Sequence, residues 1–94
     1  MPTAHSIFVT EKASQYLQQL CKHFAHKVEV RYGTDSGHVA FPLAEADLTA
    51  REDHLVFEVR AESREGLDKT KWILEDHITR FAFRENLKAL EWSD

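Results

Sequence analysis

The chain of 94 residues has little of the material from which several kinds of site are built. Its single cysteine, Cys21, cannot close an internal disulfide. That usage fits a reducing compartment, and the cytoplasm is the expected location. Three glycines leave little for a cofactor-cradling loop. There is no glycine-rich phosphate loop, no Gly-x-Ser-x-Gly elbow and no Cys-x-x-Cys pair. No apolar run approaches the roughly 20 residues that span a bilayer, and the N-terminus lacks the basic-then-apolar pattern of a signal peptide. Positive charge is also scarce. The formal net charge is −4 and the pI about 5.8, the wrong sign for a protein that binds phosphate backbone by displacing counterions. Neither nucleic acid nor a membrane is an expected partner.

What is present is globular. Hydrophobic residues make up 43% and charged residues 30% of the chain, so it can bury a core rather than remain disordered. Ten aromatic residues supply large buried surfaces. The length suits one domain over residues 1–94.

The order of elements follows from periodicity. Pro2 to Ser6 reads as a loose start and Ser6 to Val9 as a strand whose buried face is ambiguous. Thr10 is the expected N-cap of a first helix, on which Ala13, Tyr16, Leu17, Leu20, Cys21 and Phe24 recur at i, i+3, i+4, i+7. Four strands follow. Val28, Val30 and Tyr32 alternate with charged residues before a turn over 33–37. Val39, Phe41 and Leu43 form the next inward set, and Pro42 marks an edge or an end. Ala46, Leu48 and Ala50 come next, then Leu55, Phe57, Val59 and Ala61, a strict period of two with one dry and one wet face. Ser63 caps a second helix whose stripe is Leu67, Lys71, Leu74, Ile78 and Phe81. Leu87 to Trp92 reads as a sixth strand.

The expected fold is therefore α+β: an antiparallel sheet with two helices on one face, in the order β-α-β-β-β-β-α-β. This order resembles the TATA-binding-protein-like and helix-grip-like folds, a likeness of architecture only. Counting chain reversals makes the helices antiparallel. It places His23 and His26 beside the start of the second helix, and His77 nearer Tyr16 than His23.

Candidate site residues are few. Cys21 lies on an apolar stripe, where a free cysteine is ordinarily a small buried hydrophobe; read sharply, it is a nucleophile or a metal ligand. His23 stands about 200° around the helix from it, out of reach as a base. His23 and His26, at i and i+3, share a helix face and with Cys21 make the metal candidates, although zinc ordinarily takes four ligands. Cations near a helix C-terminus also explain that pair without a ligand. His77, Arg80 and Arg84 form a cationic edge that Tyr16 could close, suited to a small anionic ligand or a partner's carboxylates. The plainer reading is a solvated edge paired with local acids. Trp72, Ile73 and Phe83 lie off the main stripe, where a homodimer or the C-terminal strand would cover them.

Three runs carry a resemblance: YLQQLCKHFAHK, GHVAFPLAEADLTA and HITRFAFRENLKALEW. They resemble a bacterial family known as domain of unknown function 2218, over nearly the whole chain. Leu20-Cys21-Lys22-His23-Phe24 and Arg80-Phe81-Ala82-Phe83-Arg84-Glu85 are the most specific pieces. Pro42-Leu43-Ala44-Glu45 departs from the glycine-containing turn frequent in that family. The resemblance implies no established activity. Similar domains occur beside or fused to siderophore-interacting ferric reductases, which implies an accessory role in iron or siderophore handling. It also marks Cys21, His23, His26 and His77 for testing with iron and haem.

The expected function is thus a small non-enzymatic binding domain, its ligand patch comprising Tyr16, His23, His77, Arg80 and Arg84. A homodimeric interaction module and a small thiol-dependent enzyme using Cys21 are the alternatives. The residues themselves name no cofactor.

Overall fold

The protein is described from a computed structural model covering residues 2–93. Six strands and two main helices follow in chain order: β1 (Thr3–Val9), α1 (Ala13–Phe24), β2 (Glu29–Tyr32), β3 (Ser36–Ala40), β4 (Ala44–Ala50), β5 (His54–Ala61), α2 (Arg64–Phe81) and β6 (Trp92–Ser93). The sheet order is β2-β3-β4-β5-β1-β6, with every pair antiparallel. α1 carries the chain across the sheet from β1 to the far edge at β2, and α2 returns over β5, β1 and β4. The α+β class and the element order match the expectation.

Alternation builds the core over the central strands, while Tyr32 of the alternating set in β2 is exposed. Phe8 points to the helices with Ala4 and Ser6, while Ile7 and Val9 face outward. Val39, Ala46, Leu48, Leu55, Phe57 and Val59 meet Leu17, Leu20, Leu67, Leu74 and Ile78 in one fully buried cluster. Burying such a side chain contributes about 1.5–3 kcal/mol, which outweighs any single surface ion pair here.

Several boundaries differ from the sequence reading, each for a local reason. β1 starts at Thr3, not Ser6, because it pairs with β5 from Thr3–Arg60 onward. Thr10 stands before α1 rather than capping it. Its Oγ1 accepts from Lys12 N–H at 3.1 Å, and Lys12 is the N-cap residue. β3 stops at Ala40, since Pro42 turns the chain and leaves Leu43 exposed. In α2 the buried stripe takes in Gly66 and Thr70, while Lys71 and Phe81 are only half-buried. Ser63 caps α2 as expected, its Oγ accepting from Gly66 N–H at 3.0 Å. Gly66 is needed for packing: a Cβ there would stand 2.7 Å from the Leu43 carbonyl oxygen.

The C-terminal segment pairs with β1 only through Trp92 and Ser93, shorter than the predicted strand from Leu87. A 3-10 turn over Phe83–Glu85 ends at Asn86, whose φ of 59° is the left-handed conformation asparagine tolerates. The chain then returns along α2, where Glu75 Oε1 accepts from Leu90 N–H and Trp92 Nε1–H, both at 3.2 Å. This strap lies on the Lys71–Glu75 side of α2 and leaves Trp72 66% and Phe83 65% exposed. No helix of the described residues is long and apolar enough to cross a membrane.

Candidate functional site

The two helices meet in a seam of rings. His23, in the last turn of α1, lies 4.7 Å from His77 of α2 between ring centroids. Phe24 packs on His77 at 5.0 Å and on Phe41 at 5.1 Å, and Phe81 faces His23 at 5.8 Å. His77 therefore neighbours His23, not Tyr16 as the direction count suggested. The helices are antiparallel, but α2 has 18 residues against 12 in α1. At 1.5 Å per residue it is about 9 Å longer. Its extra turns extend past the end of α1 toward Leu43, so the last turn of α1 meets the fourth turn of α2.

The two imidazoles differ in their bonding. His77 Nδ1 lies 2.7 Å from the Ile73 carbonyl oxygen. Nδ1 therefore carries a proton in this contact. His23 Nε2 is buried and has no hydrogen-bond partner among the described residues. Burial lowers the pKa of His23 from its usual 6.5, and the charges acting with it are all cationic: His77, Lys27 and His26. Among the described residues no carboxylate acts on His23.

The other sequence candidates disperse. His26 is exposed near His23, one turn beyond. Cys21 is fully buried on the far side of α1, its Sγ over β3, where a Cβ on Gly37 would come within 2.6 Å. Burial pushes its thiol up to about 11, away from the thiolate a nucleophile requires. Among the described residues no three His, Cys, Asp or Glu side chains gather as metal ligands. His23, His26 and Cys21 are thus not brought together. Tyr16 is separated from the cationic edge: its hydroxyl donates to Glu85 Oε2 at 2.6 Å, and Thr10 Oγ1 donates to the same oxygen at 2.9 Å. Burial, with the Glu85 hydrogen bond added, raises its pKa to about 12. Arg80 pairs with Asp76 at 3.1 Å, and Arg84 lies over the Phe83 ring.

A second charged region escaped the sequence reading. On the open face of the sheet one rung runs across five strands as Arg31, His38, Asp47, Glu58 and His5. Arg60 ties Asp47 and Glu58 together at 2.8 Å each. His38 Nδ1 reaches Asp47 at 2.7 Å, and His5 Nε2 reaches Glu58 at 2.9 Å. Partial burial pushes the Asp47 carboxyl up, but hydrogen bonds from His38 and Arg60 and their charges outweigh it and hold its pKa below the usual value. An open depression of about 600 Å³ lies along Arg31, His38, Asp47 and Glu58. Its His38, Asp47 and Glu58 side chains are already paired, so a ligand reaching them would have to break existing pairs. Period-two alternation marks Arg31, His38, Asp47 and Glu58 as outward, while His5 falls in the segment read as a loose start; only the strand order aligns them.

Comparison with known proteins places the architecture. The profile of a family described as "Uncharacterized protein conserved in bacteria (DUF2218)" matches residues 5–93. No curated protein matches the chain. A solved structure described as "NMR structure of PA4090 from Pseudomonas aeruginosa" has a TM-score of 0.83 and 30% sequence identity, covering 99% of this chain and 96% of that one.

Proposed function

The chain belongs to the DUF2218 family, and we propose that it is a non-enzymatic binding domain that takes a small anionic ligand at the helix seam. His23 and His77 form the floor of this site, with Lys27, His26 and Arg80 at its rim. The observation that carries the reading is the His23 imidazole: a buried nitrogen with no hydrogen-bond partner among the described residues, on which only cationic charges act. Buried polar atoms in folded proteins are nearly always satisfied. An anion at the seam would both accept from His23 and offset the local positive charge.

An iron chelate is the first ligand to try, given the siderophore-reductase association that the family resemblance implies. Two imidazoles fall short of the ligand count for a bare ion. The two rings also contact each other, which leaves no slot for a porphyrin between them. An anionic chelate brings its own donors to the metal, and the protein then needs to supply only charge and ring surface.

The proton balance separates these cases. An anion favours protonated His23, so its binding takes up protons and tightens as pH falls from about 7.5 to about 6. A metal bound directly to imidazole nitrogen displaces protons and weakens over the same range. The test is calorimetric titration with a ferric catecholate complex and, separately, with zinc, at both pH values, on the native protein and on His23→Gln and His77→Gln. The reading expects chelate binding that strengthens in acid and is lost in both variants. Chelate affinity unchanged by either substitution would refute it.

A further inference from the structure

The exposed face of α2 carries a charge pattern that is its own complement. Glu65, Lys69, Trp72, Asp76 and Arg80 recur at helical spacing and form one row on that face. In sequence order their character is negative, positive, indole, negative, positive. Reversing the row puts Glu65 against Arg80 and Lys69 against Asp76, with the two Trp72 side chains at the centre. Laid parallel, the same row sets like charge against like at every position.

We propose that this face is a homodimer interface in which α2 packs antiparallel on α2 of a second copy, the two-fold axis passing at Trp72. A two-fold interface requires one patch to match its own reverse, which this row does. The charges already stand as intrahelical pairs, Lys69 with Glu65 at 3.2 Å and Arg80 with Asp76 at 3.1 Å. Each pair would meet the partner's pair in opposite orientation, giving a four-charge cluster on either side of the axis. The centre is apolar. Trp72 is 66% exposed beside an open hollow of about 410 Å³ that it lines with Asp68, Lys69 and Ile73. That hollow offers the partner's indole a seat, and a central tryptophan is a frequent energetic anchor of interfaces. The C-terminal strap does not reach this face. Phe83 lies beyond the end of α2 and takes no part in the pairing.

The row from Glu65 to Arg80 spans roughly 22 Å, so the interface is at the small end of specific contacts and the dimer is concentration-dependent. Sedimentation velocity on the intact chain from about 10 μM to about 1 mM tests it across the affinity range such an interface allows. The proposal expects a monomer–dimer equilibrium whose dissociation constant rises at least about tenfold in Trp72→Ala. Arg80→Glu alone weakens the dimer by placing two acids together, and combining it with Glu65→Arg restores the dimer. All three positions are on the surface, so the variants fold. A chain that stays monomeric up to about 1 mM overturns the proposal. So does a dimer indifferent to Trp72→Ala, or one that Arg80→Glu leaves unchanged.

Discussion

Histidine has two different lives in this molecule. In the helix seam, His23 and His77 pack ring against ring among Phe24, Phe41 and Phe81, and only cations act on His23. On the sheet side, His5, His38 and His54 each lie within 3 Å of a carboxylate: Glu58, Asp47 and Asp53. In the first setting burial favours the neutral form of His23 and leaves a nitrogen unused. In the second each ring has a carboxylate partner. Nearness to a depression and unspent hydrogen-bonding capacity thus point to different parts of the molecule.

The contrast can be broken most strongly at Phe24, the buried ring that backs His77 and Phe41. Phe24→Ala should cost about 3–5 kcal/mol, while Val9→Ala on the open face should change stability by no more than about 0.5 kcal/mol. Urea denaturation of the two variants measures the gap. Equal losses would mean that the outer face is covered as well.

A smaller effect is expected at Gly37, which faces α1 while its neighbours Ser36 and His38 face outward. A methyl group there meets Cys21 Sγ at 2.6 Å, and overpacking of this kind costs about 1–3 kcal/mol. Cys21→Ala removes the sulfur, so in a double-mutant cycle it should recover part of the loss. Simple additivity would show that Cys21 does not press on that strand.

The smallest effects concern pH, and the two regions separate along its scale. The pKa of His23 is depressed below 6.5, so in acid the unfolded chain binds more protons than the folded one. Its stabilising share is complete above pH 6.5 and is lost as pH falls through the folded value. Asp47, held below 3.8 once its hydrogen bonds have outweighed burial, loses its share only as pH falls below 3.8. Melting curves should therefore flatten below pH 6.5 in His23→Gln and below pH 3.8 in Asp47→Asn. A seam substitution that altered only the lower range would contradict the assignment.

Much of the fold is legible in the sequence because period two and period 3.6 are local properties. The inward set Leu55, Phe57, Val59 and Ala61 and the stripe through Leu17, Leu20 and Phe24 needed no knowledge of their partners. The site depends on relations that periodicity does not encode. How far α2 slides along α1 is set by the Pro42 turn and the contact of Gly66 with Leu43, and that offset decides whether His77 meets His23 or Tyr16. The rung from Arg31 to His5 exists only once β1 is known to lie beside β5. Glu85 reads as a surface acid after a helix, yet it receives both Thr10 and Tyr16 across some seventy residues. Periodicity puts Trp72 off the stripe, but its exposure depends on the path of the C-terminal strap.

The most direct test of the central claim is a side-chain nitrogen NMR spectrum of the six histidines, recorded as a ferric or diamagnetic gallium catecholate complex is added. The account predicts that the His23 and His77 signals broaden or shift first, His23 from a neutral toward a protonated pattern, while His5, His38 and His54 stay in place. Perturbation confined to the sheet-face histidines, or none at all at saturating chelate, would contradict it.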